Sequence, residues 1–249
     1  MKKKILALCL VVVLAVTAVT GATLAYFTDT DEATNVFTTG NVDIDLEEEF
    51  PESEDDRRLL PGKDITKEVD VRNEGSEEAY VRIHLAVPSM LDSGSEDQPQ
   101  YAAYNNTLHW NFAKAAVGAN KWNWHKDGEH AEGEMPGYPG NGGNWNMYQA
   151  TIGGVLYNVY VATYETVLDA NDVADNAIYK VYLDAGVTNQ QMTEITTALG
   201  GAPKILVYAE GGQVEGFEGE PYKALNTQFG TPGADGYQNP WAKAAAANP

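Results

Sequence analysis

Two runs of alternating apolar and polar residues, separated by a short turn, limit what this chain can fold into. The first run, residues 65–72, reads ITKEVDVR, and the second, residues 79–87, reads AYVRIHLAV. A period of two places successive side chains on opposite faces of a β-strand. The turn between the runs, NEGSEE, contains the Asn and Gly that tight turns favour. We therefore predict a β-hairpin with one face buried, and we expect His84, on the other face, to be exposed.

Three more β-prone segments follow, GVLYNVYVATYETVL from residue 154, AIYKVYLDAG from residue 177 and KILVYAEGGQVEGF from residue 204. Each is rich in Val, Ile and Tyr and is bounded by Gly, Asn, Asp or Pro. Strands at this spacing are typical of a β-sandwich or jelly roll. We predict a mainly all-β fold with one or two short helices and long loops. This domain would span residues 41–241, and a flexible tail would follow at residues 242–249.

Two segments predict helices. The stronger one begins at a Thr188 cap with Gln191 three residues later, which is the spacing of a capping box. It ends at the Gly-Gly pair after Leu199, because glycine commonly terminates helices. The weaker helix starts after Glu218 and would bury one apolar face, formed by Tyr222, Leu225 and Phe229.

The N-terminus has the layout of a secretory signal. Three lysines precede an apolar block at residues 5–25, which ends in small side chains. We predict a signal peptide over residues 1–25, cleaved between Ala25 and Tyr26, and a secreted protein of the extracellular matrix or cell surface. Because the block has roughly the 20 residues that span a bilayer, an uncleaved membrane anchor is the alternative. Cys9 would leave with the signal, which excludes disulfides from the mature chain.

Acidic residues dominate the charge of the chain, with 36 Asp and Glu against 16 Lys and Arg and a net charge of −20. Such a surface repels nucleic acid and anionic lipid, so we expect no nucleic-acid partner. The densest run, residues 45–58, lacks apolar periodicity and predicts a solvated loop after a first strand at residues 41–46. Residues 29–32 and 43–45 could bind calcium weakly, although they lack the Gly and distal Glu of an EF-hand loop. Exposed acidic residues at a strand edge are the alternative interpretation.

No motif of a known catalytic site stands out. The chain has no HExxH helix, no GxSxG elbow, no Walker loop and no GxGxxG turn. Its four histidines are His84, His109, His125 and His130. The last two are five residues apart, which does not place both on one helical face, so a zinc site there is the weaker alternative. We predict no catalytic residue, no bound metal and no cofactor.

A long segment rich in Gly, Asn and aromatic residues occupies residues 120–148. Loops of this length are usually functional or mobile. Four rings in it could stack on sugars or on another partner: Trp122, Trp124, Tyr138 and Trp145. Alternatively, the same rings cover the end of the sandwich.

Three segments resemble the TasA/camelysin family, secreted proteins of Gram-positive bacteria. The apolar signal ends in GATLA at residues 21–25 and runs into YFTDTDEATNVFTTGNVDIDL at residues 26–46. Residues 59–87 resemble the family's Pro-Gly entry, strand, Asn-Gly turn and second strand. Residues 205–219, ILVYAEGGQVEGFEG, resemble its late strand and turn. The segment at residues 120–148 matches no hallmark of the family.

The resemblance implies a jelly-roll subunit of extracellular biofilm fibres, processed by a SipW-type signal peptidase. In this family the mature N-terminal segment is a donor strand that pairs into the next subunit, a role that falls on residues 26–40 here. Thr39 and Gly40 would form the hinge. Four side chains would fill pockets of the acceptor: Tyr26, Phe27, Val36 and Phe37. The implied partners are further copies of the chain, the signal peptidase and an anchoring or accessory matrix protein, with polysaccharide as a further candidate.

Two other functions stay open at the level of sequence. Some camelysin relatives are described as metallopeptidases, so the first alternative is an enzyme of that class. The second alternative is a carbohydrate-binding module that uses the Trp-rich loop. For the fibre function, Asp29, Asp31 and Glu32 would oppose uncontrolled pairing of donor strands by like-charge repulsion. We therefore expect assembly to be easier at lower pH or with added cations.

Overall fold

The computed structural model describes residues 41–53, 55–92, 107–112, 121–126 and 145–247. All of them lie in the unit Gly40–Pro249. The signal, its cleavage point, the donor strand and the hinge fall outside the described residues, and these predictions stay predictions.

Nine strands among the described residues form two antiparallel sheets. The first sheet has the spatial order β1 (Ile44–Glu49), β2 (Ile65–Asn73), β8 (Ile178–Leu183) and β4 (Leu108–Phe112). The second has the order β5 (Trp122–Asn123), β7 (Val155–Tyr164), β3 (Ala79–Pro88) and β9 (Leu206–Gln213), and β6 (Met147–Ile152) also pairs with β7. This architecture confirms the prediction of a mainly β fold.

The facing sides of the two sheets share one hydrophobic core. Val69 and Val71 of β2 are fully buried against residues of β3 such as Ile83 and Leu85. All ten residues of β3 are buried, including those on its outer face. Other parts of the chain must therefore cover the second sheet from outside.

The predicted hairpin between β2 and β3 is wrong. β2 pairs with β1 and β8, whereas β3 pairs with β7 and β9, so the turn after Asn73 carries the chain from one sheet to the other. The side-chain amide nitrogen of Asn73, Nδ2, donates to the carbonyl oxygens of Glu77 at 2.8 Å and Leu168 at 3.1 Å. Its Oδ1 accepts the backbone N–H of Gly75 at 3.0 Å. Alternation identifies both strands, but it carries no information on their partners.

The acidic run at residues 45–58 is not entirely the solvated loop that we predicted, because β1 continues through it to Glu49. Leu46 contacts the core, while Glu47 points to the outer face of the sheet. The Glu47 carboxylate accepts a hydrogen bond from Arg72 Nε at 2.6 Å. An edge strand with acidic residues on its outer face therefore looks like a charge run in the sequence.

Three short helices occur among the described residues, α1 (Asn189–Ala198), α2 (Pro221–Phe229) and α3 (Pro240–Ala247). The capping box of α1 is confirmed: Thr188 Oγ1 accepts the N–H of Gln191 at 3.3 Å, and Gln191 Oε1 accepts the N–H of Thr188 at 2.8 Å. The weaker predicted helix corresponds to α2. α3 forms where a flexible tail was expected, and its Lys243 Nζ donates to the carbonyl oxygen of Phe229 at 2.8 Å. Within the described ranges, no helix is both long and apolar enough to cross a membrane.

Candidate functional site

In the described part of the chain, one side of the sandwich is open between the edge strands β1 and β9. Among the described residues, β1 pairs only with β2, and β9 pairs only with β3. The two edges come together where Gly211 of β9 lies against the side chain of Ile44. A Cβ atom on Gly211 would stand 2.6 Å from Ile44 Cγ2, so a larger residue would push the edges apart.

Apolar side chains on both edges contact the core without being fully covered. Ile44 and Leu46 of β1 are only partly buried, and so are Val207 and Ala209 of β9. By contrast, Val71, the cross-strand partner of Leu46, is fully buried. The two edges thus present hydrophobic surface that a further strand could remove from water.

We call the space between these two edges the open cleft. Towards the start of β9 it contains a cavity of about 310 Å³. Its apolar lining includes Leu59, Ile65, Leu108, Val181, Ile205 and Leu206, and its charged lining comprises Glu48, Arg57, Lys67 and Lys204. The cavity therefore combines an apolar floor with a rim that carries three cations and one anion.

The cations at this rim stand out because the chain is acidic overall. Lys67 lies at a core-facing position of β2 and is only 6% exposed, and its Nζ donates to Glu48 Oε1 at 2.8 Å. The same Nζ lies 5.3 Å from the centre of the Phe50 ring, and the Arg57 guanidinium carbon lies 6.0 Å from it. Lys204 is exposed. A lysine on the inner face of a strand requires a partner, and here Glu48 at the rim of the open cleft supplies it.

Backbone groups of β9 also point towards the open side. The N–H of Gln213 donates to Gln228 Oε1 at 3.1 Å, and Gln228 Nε2 donates to the carbonyl oxygen of Gln213 at 3.2 Å. Backbone groups of every second residue in an antiparallel strand point the same way, so those of Val207 and Ala209 face the same side as those of Gln213. The Gln228 side chain of α2 therefore pairs with the end of β9, and the part of the strand before it faces the cleft.

The structure does not place the predicted donor strand relative to this cleft. The cleavage residues, the donor-strand residues and the hinge all lie outside the described residues: Ala25, Tyr26, Phe27, Val36, Phe37, Thr39 and Gly40. Tyr138 of the Trp-rich segment lies outside them as well.

The three tryptophans that we predicted to form a carbohydrate or partner surface are core residues. Trp122, Trp124 and Trp145 are at most 1% exposed. The ring centre of Trp124 lies 5.1 Å from that of Trp110, and the ring centre of Trp145 lies 5.6 Å from that of Tyr160. Rings packed in this way cannot stack on a polymer, which corrects that prediction. Their burial agrees with the alternative, in which they close the sandwich.

His84 is buried, contrary to the prediction that it is exposed. Its Nε2 lies 3.0 Å from Glu210 Oε2, and its Nδ1 lies 3.3 Å from the hydroxyl oxygen of Tyr148. Alternation places His84 on the outer face of β3 correctly. It does not show that the C-terminal part of the chain covers that face.

The described residues do not assemble a metal centre. His84 and His109 lie on the outer faces of different sheets, so they cannot share one metal ion. His125 Nδ1 faces Asn123 Oδ1 at 3.1 Å. No group of three His, Cys, Asp or Glu side chains in the described part of the chain is arranged to hold a metal, and His130 lies outside it. The zinc alternative therefore gains no support from these residues.

The open cleft itself escaped the sequence analysis, although one signal of it was present. In the alternating run of β2, Lys67 occupies a core-facing position between Ile65 and Val69. A charged residue in an apolar row indicates that the row opens to solvent or to a partner at that point. Glu48 and Phe50 gave no such signal, because they lie in the acidic run.

The described residues define a mainly β protein, a two-sheet sandwich with a cation-rimmed cleft between two edge strands. Residues 1–102 of the chain match the model of a family described as camelysin metallo-endopeptidase. This match confirms the TasA/camelysin resemblance over that part of the chain, which includes β1, β2 and β3. A sequence search of curated proteins finds no match to the chain.

Proposed function

We propose that the protein is a secreted subunit of extracellular biofilm fibres, in which residues 26–38 of one copy enter the open cleft of the next. The observation that carries the proposal is the cleft, where two strand edges present half-covered apolar side chains and backbone groups. An extended segment that entered it would bury this surface and add hydrogen bonds to an edge.

The apolar residues of the donor segment suit the floor of the cleft. Tyr26, Phe27, Val36 and Phe37 are large and β-prone, and the cavity offers apolar walls from both sheets. Burying one such side chain fully contributes about 1.5–3 kcal/mol. Several of them together would stabilise the contact between subunits.

The charged residues of the segment suit the rim. The segment carries Asp29, Asp31 and Glu32, and the rim carries Arg57, Lys67 and Lys204. Exposed ion pairs contribute only about 0.2–1 kcal/mol each. Complementary charge of this kind therefore acts more on the rate and register of association than on affinity.

The geometry of such a contact favours a filament. A segment of residues 26–38 extends about 40 Å as a strand, enough to run along a neighbouring edge. Because the donor and acceptor surfaces differ, the contact is head-to-tail and does not close on itself. Export by the signal at residues 1–25, cleavage by a SipW-type peptidase and attachment through an accessory matrix protein belong to the same proposal.

Charge reversal at the rim tests this proposal. We expect the Arg57→Glu, Lys204→Glu double variant of the chain from Tyr26 to assemble at least fivefold more slowly at low salt, because the rim would then repel the acidic segment. The measurement is the initial rate of light scattering. Added salt should reduce the difference, since it screens exposed charges.

The matched control is the Lys180→Glu, Lys223→Glu double variant, which changes the net charge equally. Lys180 pairs with Asp64 on the outer face of the first sheet, and Lys223 pairs with Glu220 on α2. We expect this variant to assemble at close to the wild-type rate. Equal slowing in both double variants would show that net charge, not the cleft, governs assembly.

The description of the matching family favours a second candidate, a metallo-endopeptidase activity. It would be supported by stoichiometric zinc in the purified chain together with casein cleavage that disappears in the His125→Ala, His130→Ala variant. Casein cleavage that the variant retains would count against these two histidines as ligands.

A further inference from the structure

The last part of the chain covers the outer face of the second sheet. Tyr80, Arg82 and His84 of β3 point away from the main core, yet each is at most 1% exposed. α2, α3 and the turns between them, residues 221–247, contribute side chains and carbonyl groups that contact this face. We call this segment the C-terminal cover.

Arg82 and Glu210 attach the cover to the sheet. Arg82 Nη1 donates to Asn226 Oδ1, and Arg82 Nη2 donates to the carbonyl oxygen of Gly230, both at 3.0 Å. Arg82 Nε donates to Glu210 Oε2 at 2.6 Å. Lys243 Nζ of the cover lies 3.9 Å from Glu210 Oε1. The Glu210 carboxylate therefore joins a cation of the sheet to a cation of the cover.

His84 lies between Glu210 and Tyr148, and its neutral form satisfies both. A carboxylate only accepts hydrogen bonds, so the proton lies on Nε2, which donates to Glu210 Oε2 at 3.0 Å. Nδ1 then accepts the Tyr148 O–H, with the heavy atoms 3.3 Å apart. Trp241 of α3 stands edge-on to the same imidazole, with ring centres 6.4 Å apart.

Titratable groups face this imidazole from every element around it: Arg82 from β3, Tyr208 and Glu210 from β9, Tyr148 from β6, and Tyr237 and Lys243 from the cover. Burial raises the pKa of Tyr148 far above its usual value and that of Tyr237 to about 12, so both phenols stay neutral. Burial acts to raise the pKa of Glu210, but the hydrogen bonds from His84 and Arg82 and the charge of Arg82 outweigh it and hold that pKa below its usual value. At neutral pH the site thus holds two cations, one carboxylate and a neutral imidazole.

We propose that the C-terminal cover is a pH-sensitive closure that opens when His84 takes up a second proton. That proton would occupy Nδ1, so Tyr148 could no longer donate to the ring. It would also place a third positive charge beside Arg82 and Lys243, against the single carboxylate of Glu210. A site closed to water cannot solvate this excess charge, whereas opening exposes the ring to solvent.

The direction of the pH effect follows from burial, which lowers the pKa of His84 in the closed form. In the open form the exposed ring regains a pKa of about 6.5. The open form therefore binds the proton at higher pH than the closed form does. As a result, the closed form loses stability as the pH falls below about 6.5.

Opening can stay local because the cover packs on clusters separate from the main core. Leu225 and Phe229 belong to a cluster with Tyr80, and Trp241 packs against another around Val159. The main core lies between the two sheets and does not include these residues. Proteins open locally in contiguous units of this kind, so the cover can open while the two sheets stay folded.

Hydrogen exchange of the chain from Tyr26 tests the proposal, which goes beyond fibre assembly and does not depend on it. After correction for intrinsic exchange rates, we expect protection of amides in residues 221–247 to fall at least tenfold between pH 7.5 and 5.0. Amides of β2 and β8 should keep their protection. In His84→Gln, which retains a donor but cannot gain a proton, the fall should be less than twofold.

The matched control is His109→Gln, since His109 is equally buried but lies on the other sheet. This variant should show the wild-type pH response of the cover. The proposal is overturned if the wild-type cover keeps its protection at pH 5.0, or if His84→Gln shows the wild-type fall. Should His84→Gln fail to close at pH 7.5, an NMR titration of the wild-type ring decides. A His84 midpoint that matches the loss of protection supports the proposal, and a ring that stays neutral through that loss overturns it.

Discussion

Replacing Glu210 by alanine is expected to lower the free energy of unfolding at pH 7 by about 3–5 kcal/mol, because removing one partner of a buried ion pair leaves an uncompensated buried charge. Arg82, the partner, is 1% exposed, and its Nε donates to the Glu210 carboxylate at 2.6 Å. His84 would lose the acceptor of its Nε2 proton in the same variant. Denaturation by urea, followed by tryptophan fluorescence, measures the loss.

Glu220→Ala provides the matched control for this prediction. Its carboxylate pairs with Lys223 on the surface, where both side chains are more than half exposed. Exposed pairs contribute about 0.2–1 kcal/mol, so this variant should lose no more than that. We also expect the Arg82→Met, Glu210→Leu double variant to be more stable than Glu210→Ala, since it removes both charges. A loss below 1 kcal/mol in Glu210→Ala would contradict the role given to this ion pair.

Replacing Trp124 by alanine is expected to cost about 3–5 kcal/mol, the range for truncating a large aromatic residue in a core. Trp124 is fully buried, and its ring packs against Trp110 at the heart of the aromatic cluster. The cavity left by the indole would open between the two sheets, where the neighbouring rings can relax only partly. Thermal and chemical denaturation both measure this loss.

Trp241→Ala is the matched control for Trp124→Ala. Trp241 lies on α3 and is only partly buried, so we expect a loss below about 2 kcal/mol. Similar losses of unfolding free energy in Trp124→Ala and Trp241→Ala would contradict the assignment of Trp124 to the centre of the core. The same reasoning makes alanine variants of Trp122, Trp124 and Trp145 unsuitable for testing carbohydrate binding, because they would disturb the fold.

Local structure was predictable from this sequence wherever one short-range rule decides the outcome. The alternating runs correspond to β2 and β3, and the capping box at Thr188 opens α1. Both signals rest on residues at most four positions apart, so no knowledge of the rest of the fold is needed.

The pairing of strands and the covering of faces were not predictable in this way. β2 and β3 look like a hairpin, but the partners of β3 come from residues about 75 and 130 positions further along the chain, a separation that alternation cannot encode. His84 looked exposed because α2 and α3, which cover its strand face, are remote in sequence. Trp122, Trp124 and Trp145 looked like loop residues because Gly and Asn surround them in the sequence, but all three are buried in the core.

The open cleft depends on the same long-range information. The outward side chains of β1 are charged, so the sequence showed an acidic run where the strand lies. β9 lies beside β1 because of long-range packing, which a local sequence pattern does not predict. Lys67 was the one residue whose position in an apolar row indicated an opening. The prediction of a donor segment rests on the resemblance to the TasA/camelysin family, and entry of that segment into the cleft is the central claim of the proposal.

Electron microscopy of two purified chains tests that claim most directly. One chain starts at Tyr26 and the other at Gly40, and both are examined from pH 4 to 8 over a range of salt concentrations. Strand donation predicts fibres from the first chain and monomers from the second. Monomers from both chains under all these conditions, or fibres from the chain that starts at Gly40, would contradict it.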